Sequence, residues 1–207
     1  MKFRYYTVLL PFFFVLFMWI VNSYQFVLHI QLTQLGIYPR DIHSLFAIFT
    51  APMIHGSWGH LISNSLPIFI LGTVLFITYN KIGIFIWMLI HFLTGILVWL
   101  FARESYHIGA SGIVYGVASF LFFSGWFRMD GKAIAISLFV ALFYGGMVWG
   151  VFPLEEGVSW ESHLLGGIVG LFLAFLFRNT NREKLNPQEQ EKLDYKTFKD
   201  YVEKLEK

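Results

Sequence analysis

The sequence predicts an all-α, polytopic membrane protein, a bundle of six transmembrane helices with a charged tail. Three observations carry this. The chain is 57% hydrophobic and 20% aromatic, with 24 Phe among 207 residues, against 14% charged; a soluble domain cannot bury that much apolar surface, whereas a bilayer can accept it. The charges are segregated: of 15 Lys/Arg and 13 Asp/Glu, 8 and 7 fall between Arg178 and Lys207. Apolar runs close to the roughly 20 residues that span a hydrocarbon core recur between short polar breaks. Residues 1–178 therefore read as one membrane domain, and 179–207 as a solvated tail. Phe198, Val202 and Leu205 give that tail near-helical apolar spacing but no chemistry. Cysteine is absent, which excludes disulfides, thiolate nucleophiles and Cys-based metal sites. A net charge of +2 is too small and too dispersed for a nucleic-acid partner.

The first span is expected from Thr7 to about Ile30. It follows a short basic start (Lys2, Arg4), is too long for a signal-peptide core, and has no small-residue cleavage site after it. Gln31 to Ser44 is a polar connector, and Leu45 to Met53 an apolar, interfacial piece. His55-Gly56-Ser57-Trp58-Gly59-His60 leads into a second span ending at Asn80-Lys81, and a third runs from Ile82 to about Ala102. The fourth is Gly112 to Phe127, the fifth Ala133 to Gly150, and the sixth about Trp160 to Phe177. With both termini on one side, that side carries Lys2, Arg4, Lys81, Arg128, Lys132 and the start of the tail, whereas the other carries only Arg40 and Arg103. The positive-inside bias puts both termini in the cytoplasm; the expected location is a bacterial inner (cell) membrane.

The fourth run is short, about 24 Å as a helix, and leaves Ser111 submerged at a helix N-terminus, beside free backbone N–H groups and a positive dipole end. Such a place suits a nucleophile that needs an oxyanion site. A small-residue packing face is the alternative, since Gly112, Tyr115, Gly116 and Ser119 share one side of the helix.

Polar residues inside spans are costly and need a reason. Counting back from the charge that ends each helix, at about 1.5 Å per residue, places Ser111 and Asn64 about 25 Å from the cytoplasmic face and His163 about 22 Å. His60, one turn beyond Asn64 on the same helix face, comes out near 31 Å. Three helices thus bring Ser, His and Asn to one depth. The glycines at 166 and 170 smooth the face of His163 for close approach of the fourth helix. His29 and His91 read as packing residues, and His43 and His107 as loop residues. Glu161 is the only acid near these histidines and no HExxH-like spacing occurs, so neither metal nor cofactor is expected.

These residues resemble the rhomboid intramembrane serine proteases over nearly the whole length to Phe177. The resemblance rests on Gly-x-Ser-Gly (Gly109, Ser111, Gly112) with Tyr115 one turn on; on His-x-x-x-Asn (His60, Asn64) preceded by His55; and on His-x-x-Gly-x-x-x-Gly (His163, Gly166, Gly170). It implies a six-helix rhomboid-like bundle of the minimal form. It also implies a Ser111 nucleophile and a His163 general base without a carboxylate third member, with Tyr115 packed against the His163 ring. The oxyanion would be met by the Ser111 N–H and the side chains of His60 and Asn64, and His55 would brace the first loop and the top of the second helix. The implied substrates are single-span membrane proteins, cut near the outer face. The first loop lacks the Trp-Arg pair of some bacterial members. The loop from Val151 to Ser159, flexible through Gly157, is expected to cap the site. An inactive relative that binds or escorts membrane proteins is the alternative, although such a chain would signal itself by loss of the serine or histidine. A transporter would line a path through both faces, whereas the polar groups here gather near one.

Overall fold

The computed structural model describes residues 5–154 and 157–180, with Tyr195 and Lys199. The expected helix in the tail lies outside the described residues. Among the described residues six α-helices follow in order: α1 (Tyr6–Val27), α2 (Ala47–Thr50), α3 (Trp58–Phe101), α4 (Ser111–Arg128), α5 (Gly131–Tyr144) and α6 (Trp160–Leu176). Among the described residues the extended pairing is a single antiparallel bridge, Ile37 with His107. The fold is all-helical and polytopic. Four stretches, Thr7–Val27, Trp58–Asn80, Ile82–Phe101 and Gly131–Val151, are long and apolar enough to cross a bilayer. The 18 residues of α4 and 17 of α6 fall short of them.

α3 is two spans folded back at Asn80, where φ is 42° and ψ −114°. Phe76 and Trp87 show the reversal: their ring centroids are 5.6 Å apart, whereas eleven residues of straight helix would separate them by about 16 Å. The turn falls where the Asn80-Lys81 break was expected. Pro11 of α1 packs against Gly72 in the first arm, where an added Cβ would come 3.2 Å from the proline ring. The Trp19 indole donates to Ser65 Oγ at 3.0 Å.

α4 is the axis of the molecule. Twelve of its residues are buried, among them Ser111, Gly112, Gly116 and Phe120. α3, α5 and α6 all pack on it. Against α6 the approach is closest: a Cβ on Gly166 would land on the Gly112 carbonyl oxygen, and one on Gly170 on that of Gly116. At its far end Arg128 is buried beside Asp130 at 2.7 Å and lies 5.5 Å from the Tyr79 ring centroid. The other Asp130 oxygen caps α5 by accepting from Ala133 N–H at 2.8 Å.

Two boundaries differ from expectation. The fifth helix does not stay α-helical to Gly150; it ends at Tyr144 and tightens into a 3-10 turn over Gly145–Val151. The change begins at Gly145 and Gly146, two poor helix formers where an added Cβ would meet nothing within 4 Å, and the tighter turn offers the carbonyls of Met147 and Gly150 to Tyr115 and His163. His29, expected within the first span, lies past the end of α1, exposed, with φ 53°.

One side of the first loop packs on the protein, while Ile42, Phe46 and Phe49 stay exposed. Ala47, Ile48 and Ala51 form a second apolar cluster with Val98 and Ala102. An arginine and a tryptophan from separate segments hold it: Arg40 donates to Ala102 O at 2.9 Å, and the Trp99 indole to Asp41 O at 2.8 Å.

Candidate active site

Ser111 is the first residue of α4 and His163 lies in the first turn of α6, so close packing of the two helices brings the side chains together. His163 Nε2 is 2.8 Å from Ser111 Oγ, and His163 Nδ1 is 2.7 Å from the Gly150 carbonyl. A carbonyl only accepts, so Nδ1 carries the proton; Nε2 is left with a lone pair and accepts from the serine hydroxyl. The ring is held on its face as well. Tyr115 stacks on it with centroids 4.2 Å apart and planes 5° from parallel, and the Tyr115 hydroxyl donates to Met147 O at 2.7 Å. Gly150 must lack a side chain, because a Cβ would fall on the Tyr115 hydroxyl. Beside Tyr115, an apolar cleft of about 490 Å³ separates α4, α5 and α6, lined by Ser119, Phe122, Val140, Tyr144 and Leu164 among others.

The second arm of the site comes from the start of α3. Ser57 caps the helix by accepting from His60 N–H at 3.1 Å. The His60 ring lies against Gly109, where a Cβ would come within 2.7 Å of its Cε1 and Nε2. Gly109 also has φ +99°, a backbone that side chains rarely adopt. Asn64, buried one turn on, spends one amide hydrogen on the His60 carbonyl at 3.0 Å. Gly112, Gly166 and Gly170 form the α4–α6 contact.

His55 is fully buried, with its ring edge-on to His60 at 4.8 Å. Burial, then the neighbouring His60, push its pKa down to about 3, against the opposing pull of the Met53 carbonyl. The unfolded chain, titrating near 6.5, therefore takes up this proton first, and folding stability falls as pH drops from about 6.5 toward 3. Thermal unfolding in detergent should show a midpoint that declines over that window, with a shallower decline in His55→Gln. Equal slopes in the two proteins would refute this origin.

Several contributors carried no sequence signal. The Gly150 acceptor is a backbone atom. His107, set aside as a loop residue, is buried, with Nδ1 2.5 Å from Ser159 Oγ and Nε2 3.0 Å from Arg103 O. Burial pushes its pKa down. Glu161, noted only as a nearby acid, is buried 3.4 Å from Arg103, which also donates to Val158 O at 2.7 Å. These contacts tie the loop before α4 to the first turn of α6. His91 packs against Phe92 and Phe49, and His43 is exposed.

A family model described as "Rhomboid domain" matches residues 43–180. Uncharacterized proteins of Mycobacterium bovis and of Mycobacterium tuberculosis (strain H37Rv) are each 34% identical over 159 residues, covering 72% of this chain and 65% of theirs. One of Mycobacterium leprae is 34% identical over 150 residues, covering 67% and 59%. The chain thus spans 59–65% of the length of these relatives. With the family model reaching from the first loop to the end of α6, the chain belongs to the rhomboid family.

Proposed function

We propose that this chain is an intramembrane serine endopeptidase that cleaves the membrane-spanning segments of single-span proteins near the outer face, using a Ser111–His163 dyad. The single observation behind it is the 2.8 Å contact between His163 Nε2 and Ser111 Oγ, with Nδ1 committed to the Gly150 carbonyl. The Ser111 oxygen attacks the scissile carbonyl carbon as its proton moves to Nε2. The oxyanion so formed meets the N–H groups at the start of α4, with His60 and Asn64 as further donors. Collapse breaks the C–N bond, and the proton on Nε2 leaves with the amine. Water then gives a proton to Nε2 and attacks the ester carbon; the C–Oγ bond breaks, Nε2 returns that proton to Oγ, and the new carboxyl end is freed with Ser111 and His163 restored. The Gly150 carbonyl takes the orienting part of the absent acid, holding the base in one tautomer.

A peptide bond within a helix is shielded, and unwinding it in lipid leaves backbone groups unpaired at a cost of several kcal/mol each. Cleavage near the outer face, in segments carrying helix-weakening Gly or Pro, follows from that cost. The test is labelling by a serine-reactive fluorophosphonate, with wild type and Ser111→Ala side by side. Labelling confined to wild type supports hydrolysis, and equal labelling or none contradicts it.

The proposed topology has six spans, with both termini on the cytoplasmic side of a bacterial inner membrane. It rests on the basic residues of the inner loops and on the count of helical segments. Reporter fusions after Lys132 and Arg182 should read cytoplasmic and one after Glu156 external. An external reading at Arg182 would remove a span.

A further inference from the structure

We propose that Asn22 of α1 is a positioning residue for this site, holding His60 against Gly109 by way of His55. The inference rests on the hydrolytic reading above. α1 lies outside the matched family region, and most of its outward side is apolar and exposed. Asn22 is nonetheless fully buried, and an amide in a span needs a reason. Its bonds supply one. Nδ2 donates to Met18 O at 2.7 Å and to Met53 O at 2.6 Å, and Oδ1 accepts from His55 N–H at 2.8 Å. Those three bonds fix which end of the amide is which. Nδ2 also lies 3.3 Å from His55 Nδ1.

One turn on, Gln25 repeats the attachment, donating to His55 O at 2.9 Å and accepting from Leu32 N–H at 3.2 Å. α1 thus directs two side-chain amides at one loop residue. That residue presses edge-on against His60, whose ring has Gly109 on its far side, two residues before Ser111. Contacts therefore run Asn22, His55, His60, Gly109 through four separate segments. The rest of the first loop is held without this clamp, by Arg40, Trp99 and the Ile37–His107 bridge. The clamp acts on the stretch that delivers His60.

The experiment uses the full chain in lipid vesicles with a model transmembrane substrate. Asn22→Ala should lower kcat about tenfold with KM unchanged. The same change in a His60→Ala background should bring no further loss, because the residue it positions is gone. His55→Phe, which keeps a ring against His60, should recover most of the rate lost by His55→Ala. Turnover of Asn22→Ala at the wild-type rate overturns the proposal, as does a further tenfold loss in the His60→Ala background. If Asn22→Ala does not accumulate in the membrane, the His55 pair decides: recovery by Phe supports the proposal, and equal rates for Ala and Phe overturn it. Absence of fluorophosphonate labelling at Ser111 in wild type would overturn the hydrolytic reading and this inference with it. Labelling with unaltered Asn22→Ala turnover overturns the positioning role alone.

Discussion

Ser111→Ala and His163→Ala should each abolish cleavage of a model transmembrane substrate while leaving the protein in the membrane. The expected loss is about 10⁴-fold or more in kcat, and the double variant should be no slower than either single. The reason lies in how the two side chains divide the work. A serine hydroxyl is a weak nucleophile unless its proton has a destination at the moment of attack. In the proposed mechanism the lone pair 2.8 Å away on His163 Nε2 is that destination. Remove the imidazole and the hydroxyl remains without a proton acceptor; remove the hydroxyl and the imidazole has nothing to activate. Stability should change little for Ser111→Ala, since the substitution deletes one hydroxyl at a helix start. His163→Ala also empties the space beneath Tyr115 and leaves the Gly150 carbonyl without its donor, so some loss of thermal stability accompanies it. Rates are to be measured with protein matched for membrane content. Substantial turnover by either single variant, or a double variant far slower than both, would dismiss the dyad.

The contact between Ser111 and His163 was legible because each residue sits in a short pattern with a physical reason for its spacing. Gly109 and Gly112 flank Ser111 where φ is +99° and where α6 approaches, and Gly166 and Gly170 recur at the helical interval below His163. The Asn80-Lys81 break was legible too, since a charge between two apolar runs marks a return to water. What was not legible is what depends on backbone atoms or on partners far apart in sequence. The orienting acceptor of His163 is a carbonyl, and any residue has one. The 3-10 turn after Tyr144 offers its carbonyls at Met147 and Gly150 to Tyr115 and His163, partners 32 and 13 residues away in sequence. Asn22 belongs to no motif, and its meaning appears only when Met53 and His55 fold onto it. His107 looked like a polar loop residue because its partner Ser159 lies 52 residues away.

Gly166→Ala should sharply lower the proposed cleavage activity, whereas Gly167→Ala, one residue on, should leave it near wild type. At Gly166 a methyl would land on the carbonyl oxygen of Gly112, with the Gly112 carbonyl carbon at 3.1 Å and Cα at 3.3 Å. All three are backbone atoms in the middle of a packed helix pair, so no side chain can turn aside. α4 and α6 must separate, and overpacking of this kind costs about 1–3 kcal/mol. The separation also falls one residue from Ser111 and three from His163, and a displacement of about 1 Å at reacting groups costs roughly 10² in rate. Gly167 borders the open cleft between α4, α5 and α6, where a Cβ meets nothing within 4 Å, and replacing a helical glycine by alanine stabilises by about 0.5–1 kcal/mol. The expected pair of results is therefore opposite in sign for thermal stability, with a cleavage rate down about 100-fold for the first variant and within about twofold of wild type for the second. Two variants of equal composition, differing only in which face of α6 carries the methyl, separate close approach from helix propensity. Equal effects at the two positions would mean that the approach of α4 to α6 does not set the Ser111–His163 geometry.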